Sequence, residues 1–358
     1  MTLQHSNFNL TFIPALNGLR GFAICLVILF HVSPHEGMIG GFLGVDVFFT
    51  LSGFLITNLL VKEALAKNTL NLKNFYLRRC LRLLPALGLL ILGFTAFSFI
   101  VFDREEFIRS AIDSVIVLLN VANWPRAFGI WRPDWLSNMW SLSIEEQFYL
   151  IWPPILLFLI TKKFHLQSML KLALAIALFA WLWRAFLTSQ GVDWMRVYNG
   201  TDTRIDSLLV GAALGIAVYL PSFDHFIRTN RQLLSHLALA ASSAILIFSV
   251  LTSFKSPTLY YYILVIIEIC TCLVILDACY EGESKVRKLL ELPTLVWLGG
   301  ISYSLYLWHL PIFKILRRLY DFNSLSILIF GTAISIAIAA LSFYFVEKPI
   351  LKYKKKLS

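Results

Sequence analysis

Residues 16–31 read LNGLRGFAICLVILFH, and the reading of this stretch decides the fold. Ten apolar or glycine residues, Gly21 to Phe30, separate Arg20 from His31. A helix rises about 1.5 Å per residue, so the two polar groups lie about 16 Å apart along it. An ionisable group inside so apolar a helix is costly and needs a partner or a task. Arg20 is expected near one membrane boundary, which the charge pattern below makes the cytoplasmic one. His31 is expected in the outer half of the bilayer, with the rest of the chain as its housing.

The composition supports a membrane helix here. Of 358 residues, 58% are apolar and only 15% charged, with a mean hydropathy of +0.74. Soluble domains are about a quarter charged. The fold class expected is all-α: a polytopic integral membrane protein with about ten transmembrane helices. The apolar runs are 18–34, 41–61, 82–102, 140–160, 168–188, 204–220, 235–254, 258–279, 295–316 and 325–347. A further segment, 108–123, carries Arg109 and Asp113 and reads as interfacial or re-entrant.

The net charge of +10 follows the loops. Basic clusters at 62–82, 162–171, 228–231, 285–288 and 348–356 fall on one side if there are about ten spans. That side is then cytoplasmic, with both termini inside. The basic excess thus reads as topology and gives no ground for a nucleic-acid partner. The five cysteines, Cys25, Cys80, Cys270, Cys272 and Cys279, lie in spans or beside basic loops, so no structural disulfide is expected. The opposite side has one long connection, 103–139, rich in tryptophan. It reads either as an aromatic belt or as a functional loop.

Several polar residues stand out against this background. His31 suits a general base. His35 follows four residues later, but Pro34 ends the helix between them and no third ligand is near, so no metal site is expected. Asp46 opens the glycine-rich run GGFLGVDVFFTLSGFLI (40–56), as a cap, an ion-pair partner, or a group orienting His31 or an arginine. Gly40, Gly41, Gly44 and Gly53 in that run allow close helix packing. In WSLSIEEQFYLIWP (140–153), Ser143 and Glu146 fit a capping box. Glu145 is left to pair with His31 and polarise it.

Arg78, Arg79 and Arg82 share a helix face at the start of the third span. They read as a topology signal or as a clamp for phosphate. Arg204 and Asp206 stand at the outer end of a span. His309, beside Trp308, is either a catalytic or acceptor-binding group or an interfacial anchor.

In order along the chain, LNGLRG with LFH, GVDVFFTLSGFLI, the RRxxRxxP of 78–85, WSLSIEEQFYLIWP, RIDSLLVGAALG, ISYSLYLWHLPI and FYFVEKPI resemble the membrane-bound acyltransferase-3 family. The resemblance covers residues 12–351 as a single transmembrane domain, with 352–358 as a basic cytoplasmic tail. Some family members carry an extra esterase-like domain, and none is expected here. The resemblance implies an enzyme that transfers an acyl group, often acetyl, from acyl-CoA to a hydroxyl of a glycan such as O-antigen or exopolysaccharide. Its essential histidine would be His31 and its motif glutamate Glu145. Arg20, Arg78, Arg79 and Arg82 would hold the acyl-CoA.

The expected catalytic set is therefore His31, Glu145 and Asp46. His309, Trp140, Ser141 and Asp206 are the candidates for holding the acceptor, a glycan or lipid-linked sugar. The location expected is a bacterial inner membrane. Acylation of a small molecule, a proton-coupled transporter and a lipid sensor are the alternative readings. Transporters often carry inverted repeats, and none is visible in this sequence.

Overall fold

The computed structural model describes residues 13–33 and 37–354, so His35 and the end of the basic tail lie outside the described residues. Among them there is no strand. The first two membrane helices are α1 (Pro14–Val32) and α2 (Gly44–Lys67), the latter led in by a 3-10 turn at Gly41–Leu43. Next come α3 (Leu72–Val101), α4 (Arg104–Leu118), α5 (Asn123–Ala127) and α6 (Met139–Thr161). They are followed by α7 (Leu166–Ser189), α8 (Trp194–Asn199), α9 (Ile205–Ala217), α10 (Pro221–Thr229) and α11 (Arg231–Leu251). The chain continues with α12 (Leu264–Cys279), α13 (Lys285–Leu290) and α14 (Pro293–Tyr320). The last membrane segment joins α15 (Ser324–Ser326), α16 (Thr332–Ser342) and α17 (Lys348–Lys354) through π-helical turns at Ile327–Gly331 and Phe343–Glu347.

Eight of these helical segments are long and apolar enough to cross a membrane, or nine if the bent pair α9–α10 counts as one. The expected 204–220 span is that pair, bent by 90°. Pro221 opens α10 and forces Leu220 out of helical geometry, which explains the break. The expected 295–316 span is α14. Its 28 residues are long enough, but serine, tyrosine, tryptophan and histidine make it too polar for that count. Its polar side is turned inward: Ser302, Ser304 and His309 are all buried. The 108–123 segment forms α4, too short and too charged to cross.

Two close helix crossings set the frame. At α1–α14, a Cβ on Gly21 would lie 2.1 Å from the Leu295 carbonyl oxygen, and one on Gly299 would lie 1.7 Å from that of Asn17. At α2–α9, a Cβ on Gly53 would lie 1.9 Å from the Leu208 oxygen, and one on Gly211 would lie 1.9 Å from that of Thr50. Only glycine permits such approach of two backbones. Leu92, Phe99 and Ile100 on α3, Phe179 on α7 and Leu251 on α11 remain exposed, as expected of lipid-facing helices.

Helix interruptions are satisfied locally. Pro154 cannot donate to the Leu150 carbonyl, and the Tyr76 hydroxyl does so instead at 3.0 Å. The 103–139 connection is tied down by Asp113, which accepts from Trp131 Nε1 at 2.6 Å and from the Asp134 amide at 3.2 Å. Arg318 of α14 grips Glu106 with two bonds of 2.7 and 2.8 Å.

Candidate active site

The α1–α14 crossing brings His31 against His309. His309 Nε2 is 3.2 Å from His31 Nδ1. His31 Nδ1 is also 2.9 Å from the Val27 carbonyl, and His309 Nδ1 is 3.0 Å from the Leu305 carbonyl. A carbonyl only accepts, so each Nδ1 carries the proton. His309 Nε2 is then an acceptor for His31 Nδ1–H, and His31 Nε2 keeps its lone pair. The end of α1 is fixed as well: Arg317 Nη2 donates to the carbonyls of His31 (3.0 Å) and Val32 (2.7 Å). This arginine fills acceptors that a helix C-terminus leaves empty.

His31 lines a cavity with about 600 Å³ of empty space. Aromatic rings make much of its wall: Trp140 packs on Tyr198 with ring centroids 4.7 Å apart, and Trp194 on Phe254 at 4.9 Å. The 103–139 connection contributes Arg126, Ser137 and Asn138, so it builds the site as well as carrying tryptophans.

A second cavity, of about 760 Å³, holds the guanidinium groups of Arg20, Arg79 and Arg82 beside Glu145, Tyr149 and Ser302. Arg20 Nε donates to Ser302 Oγ at 3.2 Å. Arg79 donates to Glu146 at 3.2 Å and lies 3.5 Å from the centre of the Tyr149 ring. Arg78, expected in the same cluster, is absent from this lining and lies 3.9 Å from Glu63. Helix α3 begins at Leu72, ten residues before the expected span, with Asn71 capping it through a 2.9 Å bond from the Asn74 amide. The arginines are thus well inside the helix, and its turn sets Arg79 and Arg82 toward the cavity.

The two cavities share wall residues, Val45 and Tyr306. Tyr306 is held in the partition: its hydroxyl is 2.5 Å from Ser141 Oγ and donates to the Asn138 carbonyl at 2.8 Å.

Several expected roles need correction. Glu145 does not pair with His31. It accepts from Ser52 Oγ (3.3 Å) and the Tyr149 hydroxyl (3.2 Å) and lies 4.0 Å from Arg79, in the arginine cavity. Glu146 is not a capping-box residue. The helix starts at Met139, four residues before Ser143, and Glu146 is free to bind Arg79. Of the roles expected for Asp46, the ion pair with an arginine holds and the orienting of the histidine does not. Asp46 forms a fully buried pair with Arg204 at 2.5 Å, whose guanidinium lies 4.9 Å from the centre of the Tyr198 ring. Asp46 therefore reaches the His31 cavity only through that aromatic wall. Asp206 is paired to Arg184 at 2.5 Å, is buried and lines neither cavity. Trp140 lines the histidine cavity and Ser141 the arginine cavity, while His309 meets His31 directly.

Sequence reasoning missed Arg126, Tyr198 and Tyr306. Tyr306 had a visible signal: it stands three residues before His309 and so shares its helix face. Arg126 and Tyr198 had none, since loop geometry alone brings them to the site. Glu268, bonded to Ser207 at 2.7 Å, was overlooked inside an apolar span. Among the described residues no group of three or more His, Cys, Asp or Glu could hold a metal.

The family described as "Acyltransferase domain", acyltransferase family 3, matches residues 13–344. The peptidoglycan O-acetyltransferase OatA of Listeria monocytogenes is 34% identical, over 97% of this chain and 57% of its own length. The O-acetyltransferase OatA of Staphylococcus aureus is 32% identical, over 95% of this chain and 57% of its own. The chain spans about half the length of the curated relatives it matches. No solved structure matches at a significant level. By the extent of the family match, this chain belongs to the membrane-bound acyltransferase-3 family.

Proposed function

We propose that the chain moves an acetyl group from acetyl-CoA to a hydroxyl of a cell-envelope glycan, within a bacterial cytoplasmic membrane. The observation that carries this reading is the partition: an arginine-lined cavity and a histidine-lined cavity share Val45 and Tyr306. The names of the curated relatives favour peptidoglycan over O-antigen or exopolysaccharide as the glycan.

Acyl-CoA is made in the cytoplasm, and its phosphates suit the guanidinium groups of Arg20, Arg79 and Arg82. The narrow pantetheine arm passes the partition, and the thioester carbonyl comes to rest beside His31. The acceptor hydroxyl enters the aromatic cavity. His31 Nε2 takes the hydroxyl proton as the oxygen attacks the thioester carbonyl carbon. The C–O bond forms and the C–S bond breaks. The proton held by His31 then passes to the departing thiolate, giving CoA and the ester. His309 acts as a positioning residue that keeps His31 in the tautomer with its Nε2 lone pair free. Glu145 balances Arg79 without touching the reacting atoms.

Proteoliposomes holding the purified protein, given radiolabelled acetyl-CoA and peptidoglycan fragments, test the reading. Labelled ester on the glycan is expected from the natural protein, and its loss is expected from His31→Ala. Full turnover by His31→Ala overturns the mechanism. Absence of labelled glycan from the natural protein overturns the function.

A further inference from the structure

The histidine cavity contains a cation without a counter-ion. Arg126 stands on the short helix α5 and lines the same cavity as His31. Among the described residues its side chain has no hydrogen bond or ion pair, and its Nε is buried without a partner. The one carboxylate that acts on it, Asp134, is already engaged. Asp134 is bound to Lys314 at 2.7 Å, and Arg132 adds further positive charge.

The position of Arg126 is fixed from below. Asn123, three residues earlier, donates to Thr201 Oγ1 at 2.9 Å and to the Asn199 carbonyl at 3.2 Å, and accepts from Gln147 at 2.9 Å. A second polar atom on a residue lining the cavity also lacks a partner: Asn138 Oδ1 is buried and unbonded. A partly buried guanidinium with no counter-charge on its side chain is costly, and so is a buried lone acceptor. Both costs fall when a ligand brings an anion to one and a hydroxyl to the other.

We infer that Arg126 receives an oxyanion, a carboxylate or phosphate, carried by the acceptor glycan, while Asn138 Oδ1 accepts from one of its hydroxyls. Planar guanidinium geometry matches two oxygens of such a group. The faces of Trp140 and Trp194 offer surfaces for sugar rings. The inference rests on the transferase reading above and narrows its acceptor to an anionic glycan.

The test compares three acceptors in proteoliposomes with labelled acetyl-CoA: a neutral oligosaccharide, the same oligosaccharide bearing a carboxylate, and the neutral oligosaccharide linked to a prenyl pyrophosphate. The natural protein is expected to favour at least one anionic acceptor by about ten- to a hundredfold in kcat/KM, the scale of a charge-assisted bond. The arm that shows the preference identifies the anion's source. Arg126→Gln is expected to bring that ratio close to one, with Arg126→Lys between. Equal use of all three acceptors by the natural protein overturns the inference and leaves the transferase reading standing, as does a preference that survives Arg126→Gln. Transfer to none of the three overturns the transferase reading itself.

Discussion

The Nε2 atom of His309 lies 3.2 Å from the Nδ1 atom of His31, across two helices separated by 278 positions in sequence. Each imidazole is also anchored to a carbonyl of its own helix one turn back. The pair is thus a directed relay of orientation, with the free nitrogen of His31 at its open end. Its consequences can be measured.

Replacing His309 with alanine removes the acceptor that fixes the His31 ring. A loss of kcat between about tenfold and 10⁴-fold is expected, within the range for misplaced general bases, with KM for acetyl-CoA little changed. His309→Gln, which can present an acceptor at a similar reach, should recover part of the loss and shift the pH profile of kcat. Steady-state kinetics of the two variants check this. An unchanged kcat in His309→Ala would remove the positioning role.

The arginine cavity gives a graded expectation. Arg82→Ala should raise KM for acetyl-CoA by about tenfold or more, since a charge-assisted bond to phosphate is worth about 1.5–3 kcal/mol. Arg78→Ala should raise it far less, because Arg78 is turned toward Glu63 and away from the cavity. Binding of labelled acetyl-CoA to the detergent-purified protein distinguishes the two. Equal effects would argue against the cavity as the donor site.

Backbone contact at Gly53 predicts a large effect from one methyl group. Gly53→Ala places a carbon 1.9 Å from the Leu208 carbonyl oxygen and must push α2 from α9. A cost of about 1–3 kcal/mol or more is expected. Gly88→Ala on α3 meets nothing within 4 Å and should be neutral or stabilising by up to about 1 kcal/mol. Thermal unfolding in detergent compares them directly, and similar midpoints for both would contradict the close crossing.

Asp113 lies in α4, outside the membrane helices, and burial pushes its carboxyl up to about 6 despite the bonds from Trp131 and the Asp134 amide. The folded state therefore holds this proton more tightly than the unfolded chain does. Its contribution to stability is fully present below the unfolded value near 4 and is lost as pH rises through about 6. The unfolding midpoint of the natural protein should fall over that window more steeply than that of Asp113→Asn. Identical slopes would show that this carboxyl does not titrate in the window.

Much of this architecture was legible in the chain itself. Apolar runs located the membrane helices because lipid demands long stretches of one character. The histidines and arginines stood out because polar groups are scarce there. Reasoning from spacing misassigned Glu145, since its distance from His31 depends on how α6 turns against α1 and α2. The capping-box reading of Glu146 failed because Met139 starts the helix a turn early. Asp46 and Arg204 illustrate the general limit: both were conspicuous, yet their pairing joins positions 158 apart and follows only from the α2–α9 crossing. Arg126 was invisible for a related reason. A cation in a loop is ordinary until the fold shows that nothing answers it.

The sharing of Val45 and Tyr306 between the two cavities has a further consequence for the cell. A molecule that opens to two compartments is at risk of becoming a leak for protons and ions. On the proposed route, Tyr306, pinned by Ser141 and Asn138, and Val45 would be the plug that a slender acyl arm has to displace. On that route, shaving the plug to smaller side chains should cost the bilayer some of its tightness even where the catalyst still turns over.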